Sequence, residues 1–341
     1  MKKYIIICLS VICLCIGGLC YLYNLFVKKS NISIQDKEYL YIYPNYTFED
    51  VVDILRMDFS LDNEYALRTV SDVKKYTNSI KPGRYHLSSG MNNNQLINLL
   101  RSGKQEPVQF TFNNIRKIED LASVVSKQLF IDSLTFVQTV NSPSIQNRYG
   151  FSSHTILAMF IPNTYEIYWN TSIDNFLKRM YVEYQAFWNK SRMDKACKLG
   201  LKPLEIITLA SIIEEETNSV KEYSKIAGVY INRLKKGWKL EACPTLKFAL
   251  NDFSIKRILD KHLDTDSPYN TYKNLGLPPG PIRMPSPITI DAVLNCEQHS
   301  YMFFCAKSDF SGTHHFSRTL SEHNRYAKEY HRELNKRRIY K

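Results

Sequence analysis

The sequence contains little glycine and proline, with 12 Gly and 13 Pro among its 341 residues. Because 44% of the residues are hydrophobic, this composition excludes a collagen-like repeat and a wholly disordered chain. A mean hydropathy of −0.31 excludes a polytopic membrane protein. At a prior of roughly 150 residues per domain, the length predicts about two folded units, each with a core of its own.

Acidic residues are scarce relative to basic ones, since 33 Asp and Glu face 45 Lys and Arg and leave a net charge of +12. Such an excess suits nucleic acid, anionic lipid or an anionic cell-wall polymer. The sequence lacks zinc-finger spacing, the aromatic-basic motif of single-strand RNA readers, and a basic region followed by heptads. We therefore expect no nucleic-acid partner.

Cysteine is too sparse for a disulfide scaffold. Four of the eight cysteines lie in the apolar N-terminal segment, and the other four are widely spaced. The latter are Cys197, Cys243, Cys296 and Cys305. We expect them to be buried free thiols, with a single bridge, such as one between Cys296 and Cys305, as the alternative.

Residues 4–27 form a nearly uninterrupted apolar segment, flanked by Lys2-Lys3 and Lys28-Lys29. As a helix at about 1.5 Å per residue, the segment covers roughly 36 Å, enough to cross a hydrocarbon core. No small-x-small cleavage pattern follows it. The sequence thus predicts an uncleaved single transmembrane anchor over residues 1–30. If the short N-terminal tail stays inside, the rest of the chain lies outside the cytoplasm.

The pattern after the anchor predicts an α+β protein. Residues 31–105 read as a small α+β unit in the order strand, helix, helix, strand, helix, with Thr47 and Asn92 to Asn94 as helix caps. Its strands are predicted at 39–43 and 83–87, with helices at 48–55 and 94–100. Such a unit serves either to bind glycan or to lift the next domain off the membrane.

Residues 106–341 are predicted to be mainly helical. The predicted elements are a strand at 108–112, helices at 118–129, 134–140 and 173–197, a loop at 141–153 and an aromatic turn at 160–169. Five prolines and two glycines between 264 and 286 predict one long irregular loop, and long ordered loops in compact domains are commonly functional.

A helix that opens at Pro203 ends in Glu214, Glu215 and Glu216. At 100° per residue, its apolar stripe leaves Glu215 on the opposite side and places Glu214 and Glu216 on the two flanks. A carboxyl group at the edge of a buried stripe, beside other carboxylates, favours its protonated form, as a general acid requires. The alternative is a solvated acidic helix end, and periodicity does not separate Glu214 from Glu216.

Motifs further along the chain follow in a characteristic order. They are Ala-Ser-Ile-Ile-Glu-Glu-Glu-Thr at 210–217, Ile-Asn-Arg-Leu at 231–234, Tyr-Asn-Thr-Tyr at 269–272, Gly-Leu-Pro-Pro-Gly at 276–280, and His-x-x-x-Thr and His-Asn at 315–324. In this order and spacing, the chain resembles the membrane-anchored endolytic murein transglycosylases, the YceG-like family. The resemblance covers nearly the whole chain and implies an anchor over 1–30, a LysM-like domain over 31–105 and a catalytic domain over 106–341.

The resemblance implies a lyase without cofactor or metal, in which Glu216 is the catalytic acid. Glu214 stays a possible secondary acid, because periodicity does not separate the two residues. The enzyme would cut the β-1,4 bond between MurNAc and GlcNAc within glycan strands and leave a 1,6-anhydroMurNAc end, a reaction linked to the end of strand elongation. The implied location is the bacterial cytoplasmic membrane, with the catalytic domain on the periplasmic or outer side. Two alternatives remain: a non-catalytic murein-binding anchor that recruits cell-wall synthases, and a hydrolase that uses water.

The resemblance also implies substrate contacts. Tyr269, Asn270, Thr271 and Tyr272, with the proline-rich loop, would form groove walls, unless they serve only to hold the acidic helix. His315, Thr319, His323 and Asn324 would orient the substrate or the acid. A zinc site of His314, His315, His323 and Cys305 is an alternative whose spacing fits no standard site.

The chain departs from the family pattern at two positions. Cys243 stands where many members have Asp before Pro-Thr, so an acid is not indispensable there. Glu215 replaces a common Lys, which should help to keep a neighbouring carboxyl group protonated.

Overall fold

A computed structural model describes residues 2–34, 37–255 and 257–339. Met1, with which the predicted anchor begins, and residues 340–341, with which the predicted catalytic domain ends, lie outside the described residues. The contacts divide the chain into two compact units. The first comprises the chain up to Phe110 with residues 128–130 and 165–171, and the second comprises residues 111–127, 131–164 and the chain from Ser172 onward.

The N-terminal segment is one continuous helix, α1 (Lys2–Tyr23), extended by a π-helical turn at Asn24–Lys28. Within Lys3–Lys28, an 18-residue window has a mean hydropathy of 2.7 and no buried residue, so by length and composition the helix can cross a membrane. The turn packs onto the core of the first unit through Phe26 and Val27. The Asn93 amide donates to the Phe26 carbonyl oxygen at 2.7 Å, which fixes the end of the segment to the folded unit.

The first unit has the predicted element order. Its elements are β1 (Tyr39–Ile42), α2 (Phe48–Asp58), α3 (Glu64–Val73), β2 (Gly83–His86) and α4 (Asn93–Ser102). Strands β1 and β2 pair antiparallel, with Tyr39 opposite His86, and the helices pack their apolar stripes on the sheet around Leu40 and Leu55. The side chains of Thr47 and Asn92 cap α2 and α4 in capping boxes, so these predicted caps are confirmed.

The rest of the chain, most of which forms the second unit, is mainly helical. From β3 to α9 the chain forms β3 (Val108–Phe112), α5 (Ile118–Gln128), α6 (Ser133–Val140), α7 (Pro143–Tyr149), a 3₁₀ turn (Ile156–Met159), β4 (Asn163–Ile167), α8 (Ile173–Phe187) and α9 (Lys190–Leu199). It continues with α10 (Pro203–Glu216), a 3₁₀ turn (Val220–Glu222), α11 (Tyr223–Lys235), α12 (Cys243–Leu250), α13 (Asp260–Leu263), α14 (Pro287–Leu294), β5 (Phe303–Ala306), β6 (His314–Ser317) and α15 (Leu320–Lys336). Strand β3 pairs with β4, and β5 pairs antiparallel with β6.

Three local predictions for this part of the chain are wrong. The expected loop at 141–153 contains α7, because Ser142 caps it, Pro143 occupies its first turn and Gly150 ends it in the left-handed region. The expected helix 173–197 is two helices, since the Asn189 side chain starts α9. The aromatic turn at 160–169 contains β4, whose alternating burial is typical of a strand.

Helix α10 is the centre of the second unit. The sequence predicts one buried face, but every residue from Ile206 to Ile213 is buried. Helices α9, α11, α12 and α14 pack around it, which a helix that is apolar on all sides permits. Its last turn, which carries the three glutamates, reaches the surface of the core again.

The irregular stretch 264–286 lies against this helix, as predicted for a segment without regular structure. Its Ile282 amide donates to the Ser211 hydroxyl at 3.0 Å. At Gly280, an added Cβ would lie 1.9 Å from the His154 carbonyl oxygen, so the two backbone segments touch there. The stretch therefore holds α10 in place.

We expect G280A to lower the free energy of unfolding by about 3 kcal/mol, because the backbone of 154 or 280 must shift to admit a methyl group. G200A is the matched control, since Gly200 has a φ of +72° but open space around it, and left-handed strain costs about 1 kcal/mol. Chemical denaturation of both variants measures the difference. Equal losses would contradict the close packing at Gly280.

Candidate active site

A cleft with a volume of about 590 Å³ opens at the last turn of α10. We call it the Glu216 cleft. Its lining includes Glu216, Tyr230 on α11, Cys243 and Lys247 on α12, Tyr272, and His323 on α15. The end of one central helix thus meets side chains from four other parts of the second unit in a single cavity.

Glu214 points away from this cleft. Its Oε2 accepts hydrogen bonds from the Ser286 amide at 2.7 Å and from the Thr289 hydroxyl at 2.5 Å. The Arg283 guanidinium lies 3.4 Å from its other oxygen. Because Ser286 caps α14, Glu214 joins the first turn of that helix to α10, a structural position rather than one for a secondary acid.

Glu215 is held between two arginines. Its Oε1 accepts hydrogen bonds from Arg116 at 2.6 Å and from Arg283 at 2.8 Å, and its side chain is 17% exposed. Periodicity places this residue opposite the buried stripe, yet its carboxylate is largely buried. The two guanidinium groups compensate its negative charge, as a buried carboxylate requires.

Glu216 has a different environment from its two neighbours. Its Oε1 accepts a hydrogen bond from the neutral Tyr230 hydroxyl at 2.7 Å. Burial raises the pKa of Glu216 to about 7, against the opposing effects of the Tyr230 hydrogen bond and the Lys247 charge; the Glu215 charge raises it further. This carboxyl group can therefore donate and accept a proton near neutrality.

The cleft holds further polar groups near Glu216. The Cys243 sulfur and the Tyr272 hydroxyl lie 3.2 Å apart, and burial raises the pKa of the Cys243 thiol to about 11. The ring of His323 stacks on Phe303 at 5.3 Å between centroids. Burial lowers the pKa of His323, so its imidazole is a neutral donor or acceptor at the wall of the cleft.

The Tyr-Asn-Thr-Tyr motif is divided by the structure. Tyr272 lines the Glu216 cleft, whereas Tyr269 packs on Phe248 and lines a second cavity of about 250 Å³. The buried Asn270 amide donates to the carbonyl oxygens of Leu263 and Thr265. The buried Thr271 hydroxyl bonds Thr245 and the Ala242 amide. These two side chains hold the irregular stretch together.

The C-terminal motif residues are also separated. His323 reaches the cleft, but the His315 ring stacks on Tyr326 at 4.1 Å, and Thr319 caps α15. Asn324 is exposed on that helix. Within the described ranges, no group of three or more His, Cys, Asp or Glu side chains could hold a metal ion, so the zinc alternative has no support.

All eight cysteines are free thiols, and the alternative of a bridge between Cys296 and Cys305 is wrong. Cys296 is buried, and Cys243 and Cys305 are partly buried. Cys197, however, is exposed, because α9 buries only Ala196 and presents its neighbour to solvent. The prediction of buried thiols is therefore wrong for this residue.

The sequence did not reveal Tyr230 and Lys247 as site residues. Tyr230 lies on the apolar stripe of α11, where it reads as a core residue. A buried tyrosine hydroxyl needs a hydrogen-bond partner, and that requirement was the available signal. Lys247 belongs to a short helix whose position beside α10 follows from tertiary packing alone.

Comparison with known proteins places these motifs in a family. The sequence model of the YceG-like family matches residues 40–329. The chain is 31% identical over 298 residues to an endolytic murein transglycosylase of Bacillus subtilis (strain 168), a match that covers 82% of this chain and 81% of the relative. It is 26% identical over 288 residues to an endolytic murein transglycosylase of Streptococcus pneumoniae (strain D39), with 75% of this chain and 52% of that protein covered.

One solved structure is similar as well. A crystal structure of a YceG-like protein from Listeria monocytogenes superposes with a TM-score of 0.54 at 28% sequence identity. The alignment covers 84% of this chain and 98% of that one. The likeness in fold therefore extends over most of both chains.

The raised pKa of Glu216 makes a prediction about stability. Above pH 4.5 the unfolded chain loses this proton, while the folded protein keeps it until about pH 7. Folding is therefore destabilised as the pH rises between these values, by about 3 kcal/mol in total. Because glutamine does not ionise, the E216Q variant does not lose stability in this pH range. We therefore expect it to be more stable than the wild type at pH 8 by up to about that amount.

Urea denaturation of both proteins at pH 4, 6 and 8 measures the effect. E205Q is the matched control, because Glu205 closes the capping box at the start of the same helix and glutamine serves equally well there. A stability difference between E216Q and wild type that does not change with pH would contradict the raised pKa.

Proposed function

The chain belongs to the YceG-like family, and from that premise we propose that it is an endolytic murein transglycosylase, a lyase of the bacterial cell wall. The observation that carries the proposal is the partly buried Glu216 carboxyl group, with a pKa of about 7, in a cleft large enough for sugar rings. The relatives named as endolytic murein transglycosylases support the same activity.

Glu216 starts the proposed reaction as a general acid. The protonated carboxyl group donates its proton to the oxygen that joins MurNAc to GlcNAc, and the bond from that oxygen to C1 of MurNAc breaks. Positive charge develops on the MurNAc ring as the GlcNAc end departs with a new hydroxyl group. Glu216 is then a carboxylate, and the Tyr230 hydroxyl stabilises it with its 2.7 Å hydrogen bond.

The same carboxylate then acts as a base. It accepts the proton of the C6 hydroxyl of that MurNAc while the C6 oxygen forms a bond to C1, so a 1,6-anhydro ring closes and Glu216 regains its proton. No water is consumed, and one carboxyl group performs both transfers. A hydrolase would add a water molecule instead and would use a second carboxylate.

The surroundings are proposed to serve this reaction as follows. The aromatic face of Tyr272 and the neutral His323 imidazole contact the sugar rings and their acetamido groups. Segment α1 anchors the enzyme in the cytoplasmic membrane as a single span, with the second unit on the periplasmic or outer side, and the first unit is a LysM-like domain. Cell-wall synthases are the proposed protein partners, because cutting new strands would end their elongation.

We expect E216Q to abolish the release of anhydro-ended glycan from purified murein, because glutamine keeps the shape but cannot cycle a proton. Wild type and E205Q should release products of equal mass that lack the added water. Mass spectrometry of the soluble fraction measures both. Products that are heavier by one water would indicate a hydrolase, and sedimentation of folded wild type with murein without soluble product would favour a binding anchor.

We expect Y230F to shift the pH dependence of kcat/KM. Activity requires protonated Glu216, so it falls as the pH rises through the pKa of about 7. Removal of the phenol removes a donor to the carboxylate, so the pKa rises and the falling limb moves to higher pH by about one unit.

Y223F is the control for this shift, because the Tyr223 hydroxyl lies near Thr289 and Glu214 instead. A limb in Y230F that stays at the wild-type pH, or one that moves equally in Y223F, would contradict the role of Tyr230.

A further inference from the structure

Lys247 is a cation in the wall of the Glu216 cleft that the proposed mechanism does not use. We propose that its ammonium group binds a carboxylate of the murein strand and thereby selects which strands are cut. The inference rests on the proposed function and adds a specificity-determining residue to it.

The position of Lys247 leaves it without a protein counter-ion. It lies on α12 one turn after Cys243, and its helix neighbours three and four positions away are Cys243, Pro244, Leu250 and Asn251, none of them acidic. In the described part of the chain it forms no ion pair. Among the other carboxylates that line the cleft, Glu215 and Glu241 are each paired with arginine, and Asp260 is exposed to solvent.

The chemistry of the substrate supplies such a counter-ion. Muramic acid carries a lactyl ether at C3, on the same ring whose C1 bond Glu216 would cut. In strands without peptides the lactyl group is a free carboxylate. In peptide-bearing strands it is an amide, and the carboxylates lie further along the peptide. A cation beside the catalytic acid is thus placed for a carboxylate on the reacting sugar, and a charge-assisted hydrogen bond to it is the strong kind.

The same contact acts on the catalytic acid. The Lys247 charge lowers the pKa of Glu216 and so works against its protonated form. A carboxylate bound to Lys247 neutralises this charge, so the substrate itself helps to keep Glu216 protonated.

Other ionisable groups around the Glu216 carboxyl group also affect its pKa, and they are the same in wild type and in K247M. On α10, α11 and α12 they are Glu215, Tyr230, Arg233 and Cys243. From the remaining elements they are Glu241, Arg257, Asp260, Tyr272, Cys305, His314, His323, Tyr330 and His331.

The test compares wild type with K247M on three substrates. The first is strands stripped of peptides, which carry the lactyl carboxylate. The second is peptide-bearing strands, and the third is the same strands with their peptide carboxylates amidated. K328M, which removes an exposed charge of α15, controls for the loss of general attraction to an anionic polymer.

We expect K247M to lose roughly ten- to a hundredfold in kcat/KM on the strands whose carboxylate it binds. A loss confined to peptide-free strands identifies the lactyl carboxylate. A loss on peptide-bearing strands that disappears on the amidated strands identifies the peptide carboxylate. Equal small changes on all three substrates, matching K328M, would overturn the proposal.

The pH profiles add a second readout. In wild type the falling limb of kcat should lie at higher pH than that of kcat/KM, because the bound carboxylate raises the pKa of Glu216. In K247M the falling limb of kcat/KM should move to higher pH, so that it coincides with the falling limb of kcat. A gap of equal size in the two proteins would contradict the proposed contact.

Binding measurements test the Lys247 contact independently of the proposed enzymatic activity. Affinities of E216Q and of E216Q/K247M for the three substrates are measured by calorimetry, which needs no turnover. If wild type cuts no strand, the proposed function fails, yet a selective loss of affinity in the double variant would still support the contact. Equal affinities of the two variants would overturn it whether or not wild type is active.

Discussion

The burial of α10 along eight consecutive residues, followed at once by three glutamates, is the constraint on which the site depends. The C-terminal end of a helix carries a partial negative charge and disfavours anions, and this helix has no basic residue in its last turn. The surrounding structure compensates the three carboxyl groups to different extents. Arg283 and the start of α14 satisfy Glu214, and two arginines satisfy Glu215, whereas Glu216 has one neutral donor and stays protonated up to about pH 7.

Much of the fold could be predicted from the sequence, because in many elements the local sequence signals agree with the tertiary packing. Thr47 and Asn92 cap the helices that they were predicted to cap, and Pro203 opens α10. Polar residues, proline and glycine gave a wrong prediction where they start and end a short helix instead of forming a loop. Ser142, Pro143 and Gly150 read as loop material, yet they are the start and stop signals of a seven-residue helix. Composition alone does not distinguish a loop from a short, well-capped helix.

The site was predictable only in part, for a physical reason. Periodicity places Glu214 and Glu216 symmetrically on the two flanks of the apolar stripe. The two residues differ in their hydrogen-bond partners, which lie 72 residues away for Glu214 and 14 residues away for Glu216. The family resemblance selected Glu216, and the environment of its carboxyl group is consistent with that role. Asn270 and Thr271 show the opposite case. Their side chains could serve either a substrate or a loop, and in the structure their polar atoms are engaged within the protein.

A single carboxyl group that must first give and then take a proton works best when its pKa lies near the ambient pH. In this cleft that value is a balance, in which burial and the Glu215 charge raise the pKa while Tyr230 and Lys247 lower it. Glu215 and Glu241 are engaged with arginines, and Asp260 is exposed to solvent. A retaining or inverting hydrolase would need a second carboxylate poised opposite the first. The arrangement around Glu216 therefore supports the proposed reaction, in which the substrate provides the nucleophile.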